Sequence, residues 1–156
     1  MWIDFYEIGH IDHPFRLDFQ YFISSVTFRD EFLKSQDMRN DLVKYGLQLT
    51  DVTVEEFTDA LKYKDCYPQL SVYDTFALAI AKRRNWVLLT GDRPLRNAAN
   101  KEGIEYHGVI WIYDQLKAQG KMVEAEYSAV IDDLIVAVNS GRCRLPMDEL
   151  VKRKAL

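Results

Sequence analysis

The sequence predicts an α/β fold in which helices cover both faces of a small parallel β-sheet. Short apolar runs alternate with amphipathic stretches along the chain, which is the order of β-α-β units. The segment Trp86–Leu89 is apolar without polar alternation, as expected of a parallel strand buried on both faces. The 156 residues contain no repeat, low-complexity tract or linker rich in Pro and Gly, so we expect a single domain over residues 1–156.

The individual elements follow from periodicity and from residues that begin or end helices. Strands are predicted at Tyr21–Ser24, Leu47–Val52, Trp86–Leu89 and Tyr106–Ile110. Helices are predicted at Met1–Ile8, Val26–Lys34, Val54–Tyr63, Ser71–Arg84, Asp92–Glu102, Trp111–Lys117, Val123–Asn139 and Met147–Ala155, with a loop at His10–Pro14. Thr53 is placed to cap the third of these helices, because Glu56 follows it at the spacing of a capping box.

Composition limits the class of protein without deciding its function. The net charge of −4 excludes binding of nucleic acid by bulk positive charge and leaves a local cationic patch or bound metal ions. The apolar runs are too short for a membrane helix, and the start shows no signal peptide. Two widely separated cysteines predict neither a disulfide framework nor a zinc site, so we expect a cytoplasmic protein without a membrane partner.

Carboxylates fall where the predicted elements meet one edge of the sheet. The strand at Trp86 leads into Asp92, and Asp74 lies in the first turn of the helix that begins at Ser71. Ligands of parallel sheets bind at the carboxyl ends of the strands, and carboxylates there suit Mg²⁺ or Mn²⁺. Each acid also has an ordinary structural interpretation, since Asp74 and Asp92 have the spacing of helix caps and Glu31 lies in a polar helical run.

A resemblance to a known family favours the metal site. The segment Ser71-Val72-Tyr73-Asp74, followed by Leu88-Leu89-Thr90-Gly91-Asp92-Arg93-Pro94-Leu95-Arg96, looks like the second half of a PIN domain. Upstream, Ser25-Val26-Thr27 through Glu31-Phe32-Leu33 resembles the family's step from a strand to a helix that carries a Glu. The closing Arg144-Leu145-Pro146 with Glu149-Leu150 is similar to bacterial members of toxin (VapC) type.

The resemblance implies a three-layer α/β/α fold and a ribonuclease that hydrolyses RNA phosphodiester bonds. Glu31, Asp74 and Asp92 would bind one or two Mg²⁺ or Mn²⁺ ions, and the hydroxyl of Thr90 would support that site. Many bacterial members are toxins of type II toxin–antitoxin pairs. The implied partners are therefore an RNA substrate, a small antitoxin and a second copy of the chain.

The resemblance also implies a feature that this sequence lacks. The family begins with a buried strand that ends in a catalytic Asp, and on this chain that Asp would lie upstream of Met1. Asp4 matches a different acidic residue of the following helix and is not expected to replace it. We expect a late start, with an in-frame apolar stretch ending in Asp-x-Asn in the upstream coding DNA. If the chain is naturally this short, we expect weak metal binding and little nuclease activity.

Cationic residues around the acidic block allow two interpretations. Arg83, Arg84, Arg93, Arg96 and Lys101 form either a phosphate-contacting patch or a solvated helix face, and Arg93 and Arg96 are the stronger candidates because they follow Asp92. Two functions therefore stay open. One is an endoribonuclease, and the other is a catalytically crippled PIN-like domain that binds RNA or a partner protein.

Overall fold

The computed structural model describes residues 1–31 and 35–155. The helices in these residues are α1 (Trp2–Glu7), α2 (Ser25–Glu31), α3 (Gln36–Tyr45), α4 (Val54–Cys66), α5 (Val72–Arg84), α6 (Arg93–Lys101), α7 (Val109–Ala118), α8 (Glu124–Asn139) and α9 (Met147–Lys154). The strands are β1 (Phe22–Ser24), β2 (Gln48–Thr50), β3 (Leu88–Leu89) and β4 (Tyr106–His107), and a 3₁₀ turn spans His13–Arg16.

The strands are short and pair in parallel, which confirms the predicted α/β class. β1 pairs with β2, with Phe22 opposite Gln48, and β3 pairs with β4, with Leu88 opposite Tyr106. We predicted one small sheet, but in the described residues these four strands form two separate two-stranded sheets. Helix α5 packs against both β1 and β3, so a single apolar helix underlies one strand of each sheet.

Helix starts are the part of the fold that local sequence predicts best. The backbone N–H of Glu56 donates to the Thr53 hydroxyl (3.1 Å), and the Glu56 carboxylate accepts from the backbone N–H of Thr53 (2.9 Å). Ser71 and Asp74 form the same reciprocal capping box at the start of α5. These bonds satisfy donors that the first turn of a helix otherwise leaves unpaired.

Several predicted boundaries change, all four strands are shorter than predicted, and one helix of the described residues was not predicted. Helix α7 begins at Val109, two residues earlier than predicted, because Gly108 is its N-cap and β4 ends at His107. The His10–Pro14 loop continues into the 3₁₀ turn, and α4 extends to Cys66. Helix α3 was missed because its sequence is polar and it buries only Met38 and Leu42. The predicted end of the second helix, residues 32–34, lies outside the described residues.

The chain divides into two compact units, Gln20–His107 and a second that combines Met1–Phe19 with Gly108–Leu156. The core of the first unit is built from small and branched apolar side chains that join α5, α6 and β3. Its buried members are Leu70, Leu78, Ala81, Leu88, Leu95, Ala98, Ala99 and Ile104.

Arg84, at the end of α5, links several elements of the first unit. Its guanidinium donates to both carboxylate oxygens of Glu56 (2.7 and 2.9 Å), which is buried at the start of α4. It also donates to the Thr50 hydroxyl (2.7 Å) and to the Asp51 carbonyl (2.9 Å), just after β2. The same guanidinium lies over the ring of Trp86, 4.9 Å from its centroid. One planar cation thus fixes the ends of α5, β2 and the start of α4.

The second unit is helical and has an aromatic core. Phe5 of α1 and Tyr113 of α7 are fully buried, with ring centroids 5.5 Å apart. Helix α9 is held by Arg153, which donates to both oxygens of Asp114 on α7 (2.7 to 3.1 Å). In the described part of the chain, no helix is long and apolar enough to cross a membrane.

His13 makes the stability of the second unit depend on pH. The side chain is buried, stacks on His10 with centroids 4.2 Å apart, and shares a hydrogen bond with the Tyr113 hydroxyl (3.3 Å). Burial, together with the nearby His10 and Arg16, lowers the pKa of His13 to about 4. The unfolded chain therefore binds a proton on His13 more readily than the folded chain at mildly acidic pH.

We expect the contribution of neutral His13 to the unfolding free energy to be present in full above about pH 6.5 and to be lost as the pH falls toward 4. Between pH 7 and pH 4, wild type should lose up to about 3 kcal/mol more unfolding free energy than His13→Phe, which cannot be protonated. Urea unfolding of both proteins at several pH values measures the difference. Parallel pH profiles would contradict the assignment.

Candidate acidic site

The first carboxylate of the site is fixed by the hydrogen bonds that begin α2. The Ser24 hydroxyl accepts the backbone N–H of Thr27 (3.1 Å), which caps the helix directly after β1. The Ser25 hydroxyl donates to the Asp51 carboxylate (2.8 Å), so the start of α2 is also attached to the end of β2. Glu31 is the last residue of α2 and is exposed.

The second carboxylate belongs to the first turn of α5. Asp74 Oδ2 accepts the backbone N–H of Ser71 (3.0 Å), and the Asp74 N–H donates to the Ser71 hydroxyl (3.1 Å). The capping interpretation is therefore correct for this residue. It does not exclude a second role, because a carboxylate has more acceptor positions than the cap uses.

The residues directly before the two acids, Tyr73 and Asp30, form a hydrogen bond that joins α5 to α2. The Tyr73 hydroxyl donates to Asp30 Oδ2 (2.9 Å), and Arg29 Nε donates to Asp30 Oδ1 (2.9 Å). Arg29 and then Tyr73 lower the pKa of Asp30, so this carboxylate stays charged. Asp30 and Tyr73 were not among the predicted site residues, although they directly precede Glu31 and Asp74.

The structure brings Glu31 and Asp74 close enough to interact. Atoms packed around the Glu31 carboxyl group raise its pKa, and the negative charge of Asp74 raises it further. Repulsion between two carboxylates at one place is the arrangement that a divalent cation relieves. The pair is contributed by two elements that are far apart in the sequence, and it is a different pair from Asp74 and Asp92, which the fold argument had placed at one edge of the sheet.

The side chain of Asp92 is engaged in capping the start of α6. Its Oδ2 accepts the backbone N–H of Leu95 (3.0 Å), so it is the N-cap of that helix, with Pro94 in the first turn. The buried hydroxyl of Thr90 accepts the backbone N–H of Asp92 (3.0 Å) and so stabilises the turn that presents this residue.

The described carboxylates fit a divalent cation only in part. Within residues 1–31 and 35–155, no three His, Cys, Asp or Glu side chains are grouped so that they could hold a metal ion. Glu31 and Asp74 nevertheless supply hard oxygen donors, and Mg²⁺ is commonly bound by one or two carboxylates with water and substrate phosphate as further ligands. The donor set therefore suits one weakly held ion.

The cations that flank the acids separate into two groups. Arg83 pairs with Asp59 and Arg84 with Glu56, so both guanidinium groups already have a carboxylate partner, which speaks against the phosphate-patch alternative for these two residues. Arg93 is exposed beside Asp92, and the Arg96 guanidinium lies over the Tyr106 ring, 5.3 Å from its centroid. These two residues remain the candidates for phosphate contact.

Comparison with known proteins identifies the family. A family model described as a PIN domain matches residues 1–154. The chain belongs to the PIN-domain family. PIN domains are generally nucleases that act on RNA and typically use divalent metal ions. The α/β fold with short parallel strands agrees with this membership. No curated protein and no solved structure matches the chain.

The turn before α6 provides a direct test of the role given to Thr90. Thr90→Val removes the acceptor of the Asp92 N–H at nearly constant volume, so it should cost about 1 kcal/mol of unfolding free energy. Amide exchange of the Asp92 N–H should accelerate more than that of its neighbours. Thr58→Val is the matched control, because its exposed hydroxyl bonds only to its own helix and should change stability by less than about 0.5 kcal/mol. Equal effects of the two substitutions would contradict the assignment.

Proposed function

We propose that this PIN domain is a Mg²⁺- or Mn²⁺-dependent endoribonuclease whose acidic site contains Glu31, Asp74 and Asp92. The observation that carries the proposal is that the negative charge of Asp74 reaches Glu31 and raises its pKa, beside the hydrogen bond from Tyr73 to Asp30 that joins α5 to α2. Neither helix needs this repulsion for its own stability. A bound cation would relieve the repulsion between the two acids.

The roles of the residues follow from their positions. Glu31 and Asp74 would hold the ion. Asp92 would approach it from the start of α6, on the turn that the Thr90 hydroxyl stabilises. A divalent ion bound there supplies an activated water and neutralises charge on the phosphodiester. Arg93 and Arg96 would contact RNA phosphates next to the acids, which offsets the net charge of −4.

We further infer that the protein acts in the cytoplasm as the toxin of a type II toxin–antitoxin pair, with a small antitoxin and a second copy of the chain as partners. The support is the similarity of the segment around Arg144-Leu145-Pro146 to toxin-type members. Copurification with the product of an adjacent small gene, and relief of growth arrest by that product, would test this role.

The nuclease proposal is tested by substitutions that leave the helix caps intact. Asp74→Asn and Asp92→Asn each keep a side-chain oxygen that can cap, so the helices should persist while a metal ligand loses its charge. With Mn²⁺, each substitution, and also Glu31→Gln, should lower RNA cleavage by about 100-fold, the upper range for losing a group that supports a bound metal. Asp148→Asn, on exposed α9, is the control and should cleave like wild type.

Calorimetric titration with Mn²⁺ should show weak binding of one ion, which Glu31→Gln and Asp74→Asn abolish. Unchanged cleavage by Asp74→Asn and Asp92→Asn would rule out the metal mechanism. Tight binding of two ions would contradict the limited donor set described here.

The alternative is a crippled PIN-like domain that binds RNA or a partner protein without cleaving RNA. The observation that favours it is that no three potential metal ligands converge in the described part of the chain. In that case RNA binding should be the same in EDTA as in Mn²⁺, and cleavage should be absent from wild type.

Fluorescence anisotropy with a labelled single-stranded RNA measures RNA binding without cleavage. It therefore tests the role of the arginine side chains separately from nuclease activity. Arg93→Ala and Arg96→Ala should each weaken RNA binding and reduce the dependence of binding on salt by about one phosphate contact. Arg83→Ala is the matched control, because this guanidinium already pairs with Asp59. A similar loss in all three variants would contradict the placement of the phosphate contacts.

A further inference from the structure

Helices α2 and α3 line an open cavity of about 360 Å³ that lies outside the acidic site. This volume is at the lower end of the range for small-molecule sites, which is about 300 to 1,000 Å³. The described residues that line it are one side chain of α2 and five of α3, namely Phe28, Gln36, Arg39, Asn40, Val43 and Lys44. We call them the α2–α3 cavity. An aromatic ring, two amides and two cations, with no carboxylate among these six, suit an unpaired nucleotide.

The stacking surface of the α2–α3 cavity is fixed by contacts within the chain. The Arg39 guanidinium lies over the Phe28 ring, 5.4 Å from its centroid. Its Nη2 atom also donates to the Arg29 carbonyl (2.7 Å), which holds the guanidinium in place. Unpaired RNA bases stack on aromatic rings and on guanidinium planes. The cavity therefore presents a preorganised surface for a flat ring.

The two amides of the cavity are paired in a way that leaves a donor beside an acceptor. Gln36 and Asn40 are one turn apart on α3, and Gln36 Nε2 donates to Asn40 Oδ1 (3.0 Å). Both side chains are exposed, so Gln36 Oε1 can accept and Asn40 Nδ2 can donate toward a ligand. Adenine is the base that side-chain amides bind through two hydrogen bonds, because its N6–H donates next to the acceptor N7.

Positive charge beside the amides suits a phosphate group. Lys44 is exposed one turn after Asn40 on α3. Neither Lys44 nor Arg39 forms an ion pair with a carboxylate of the described residues, and the two acids of α3, Asp37 and Asp41, are not among the residues that line the cavity. The cavity is therefore locally cationic in a chain whose net charge is −4.

We propose that the α2–α3 cavity binds one unpaired adenine of the RNA substrate and so selects where the strand is cut. The base stacks on the surface formed by Arg39 and Phe28, its edge meets the two amides, and Lys44 contacts a flanking phosphate. Phe28 lies three residues before Glu31 on α2, about 4.5 Å along the helix axis, so one strand can reach both the cavity and the acids. The inference rests on the proposed function for its substrate and adds the choice of base.

Binding of short RNAs in EDTA tests the cavity in the absence of cleavage. Four labelled uridine tracts should be compared, which differ at one central position that holds adenosine, guanosine, cytidine or uridine. In fluorescence anisotropy, wild type should bind the adenosine strand about tenfold more tightly than the other three, the usual scale for one base read through two bonds. Asn40→Ala should reduce this preference to less than about twofold, because one of the two bonds is lost.

A similar amide pair elsewhere in the chain supplies the control. Gln119 Nε2 donates to Gln115 Oε1 (3.3 Å) on the exposed side of α7, so Gln119→Ala removes an equivalent pair and should keep the preference for adenosine. Lys44→Ala should weaken the binding of all four strands alike and lower the salt dependence by about one phosphate contact. Circular dichroism should show that all variants remain folded.

Cleavage in Mn²⁺ separates this inference from the nuclease proposal. Wild type should cut a mixed-sequence RNA next to adenosines, and Asn40→Ala should cut it next to all four bases. Equal binding of the four strands by wild type, or a preference that Asn40→Ala retains, would overturn the adenine site even if RNA is cleaved. A preference for adenosine in EDTA without cleavage in Mn²⁺ would instead support the adenine site and contradict the nuclease.

Discussion

The first unit depends on one buried ion pair, between Arg84 and Glu56. The Glu56 carboxylate is buried, and removing its partner from such a site typically costs about 3 to 5 kcal/mol, because the remaining charge stays desolvated. The guanidinium also bonds to Thr50 and Asp51, so the pair sets where β2 ends and α4 begins. Asp51 in turn accepts from Ser25, which leads into the helix that ends at Glu31. The position of the acidic site is thus set by a contact that takes no part in its chemistry.

The acidic residues of the first unit are shared between electrostatic contacts and helix starts. The Tyr73 hydroxyl donates to Asp30, and these two residues directly precede Asp74 and Glu31 in the sequence. The third carboxylate lies at the start of α6, where it serves the helix backbone. Membership of the PIN family makes a nuclease the natural interpretation, and under the proposed function the small donor set makes affinity for the ion the quantity on which activity would depend.

Local sequence signals predicted the side-chain-capped helix starts, and the capping residues Thr53, Ser71 and Asp92 all form the expected bonds. Caps are predictable from local sequence because their hydrogen bonds form between residues that lie within four positions of one another. Helix α3 was missed because it buries too little to show periodicity. The bond between Tyr73 and Asp30 was missed because a tyrosine hydroxyl takes whichever partner the tertiary fold brings to it. The pairing of Arg83 and Arg84 with acids on α4 escaped prediction for the same reason.

Under the proposed function, Asp74 and Asp92 serve the metal site as well as the starts of α5 and α6, and this affects how the domain would change over evolutionary time. A copy released from catalysis would still need a side-chain oxygen at position 92 to cap α6 and one at position 74 to accept the backbone N–H of Ser71, so Asp or Asn would persist at both positions. Glu31 ends α2, and none of the bonds that start a helix in the described residues uses it. Drift would therefore erase the acid at position 31 first. In descendants of this gene, the residue at that single position would be the better record of whether the ancestral chemistry was retained.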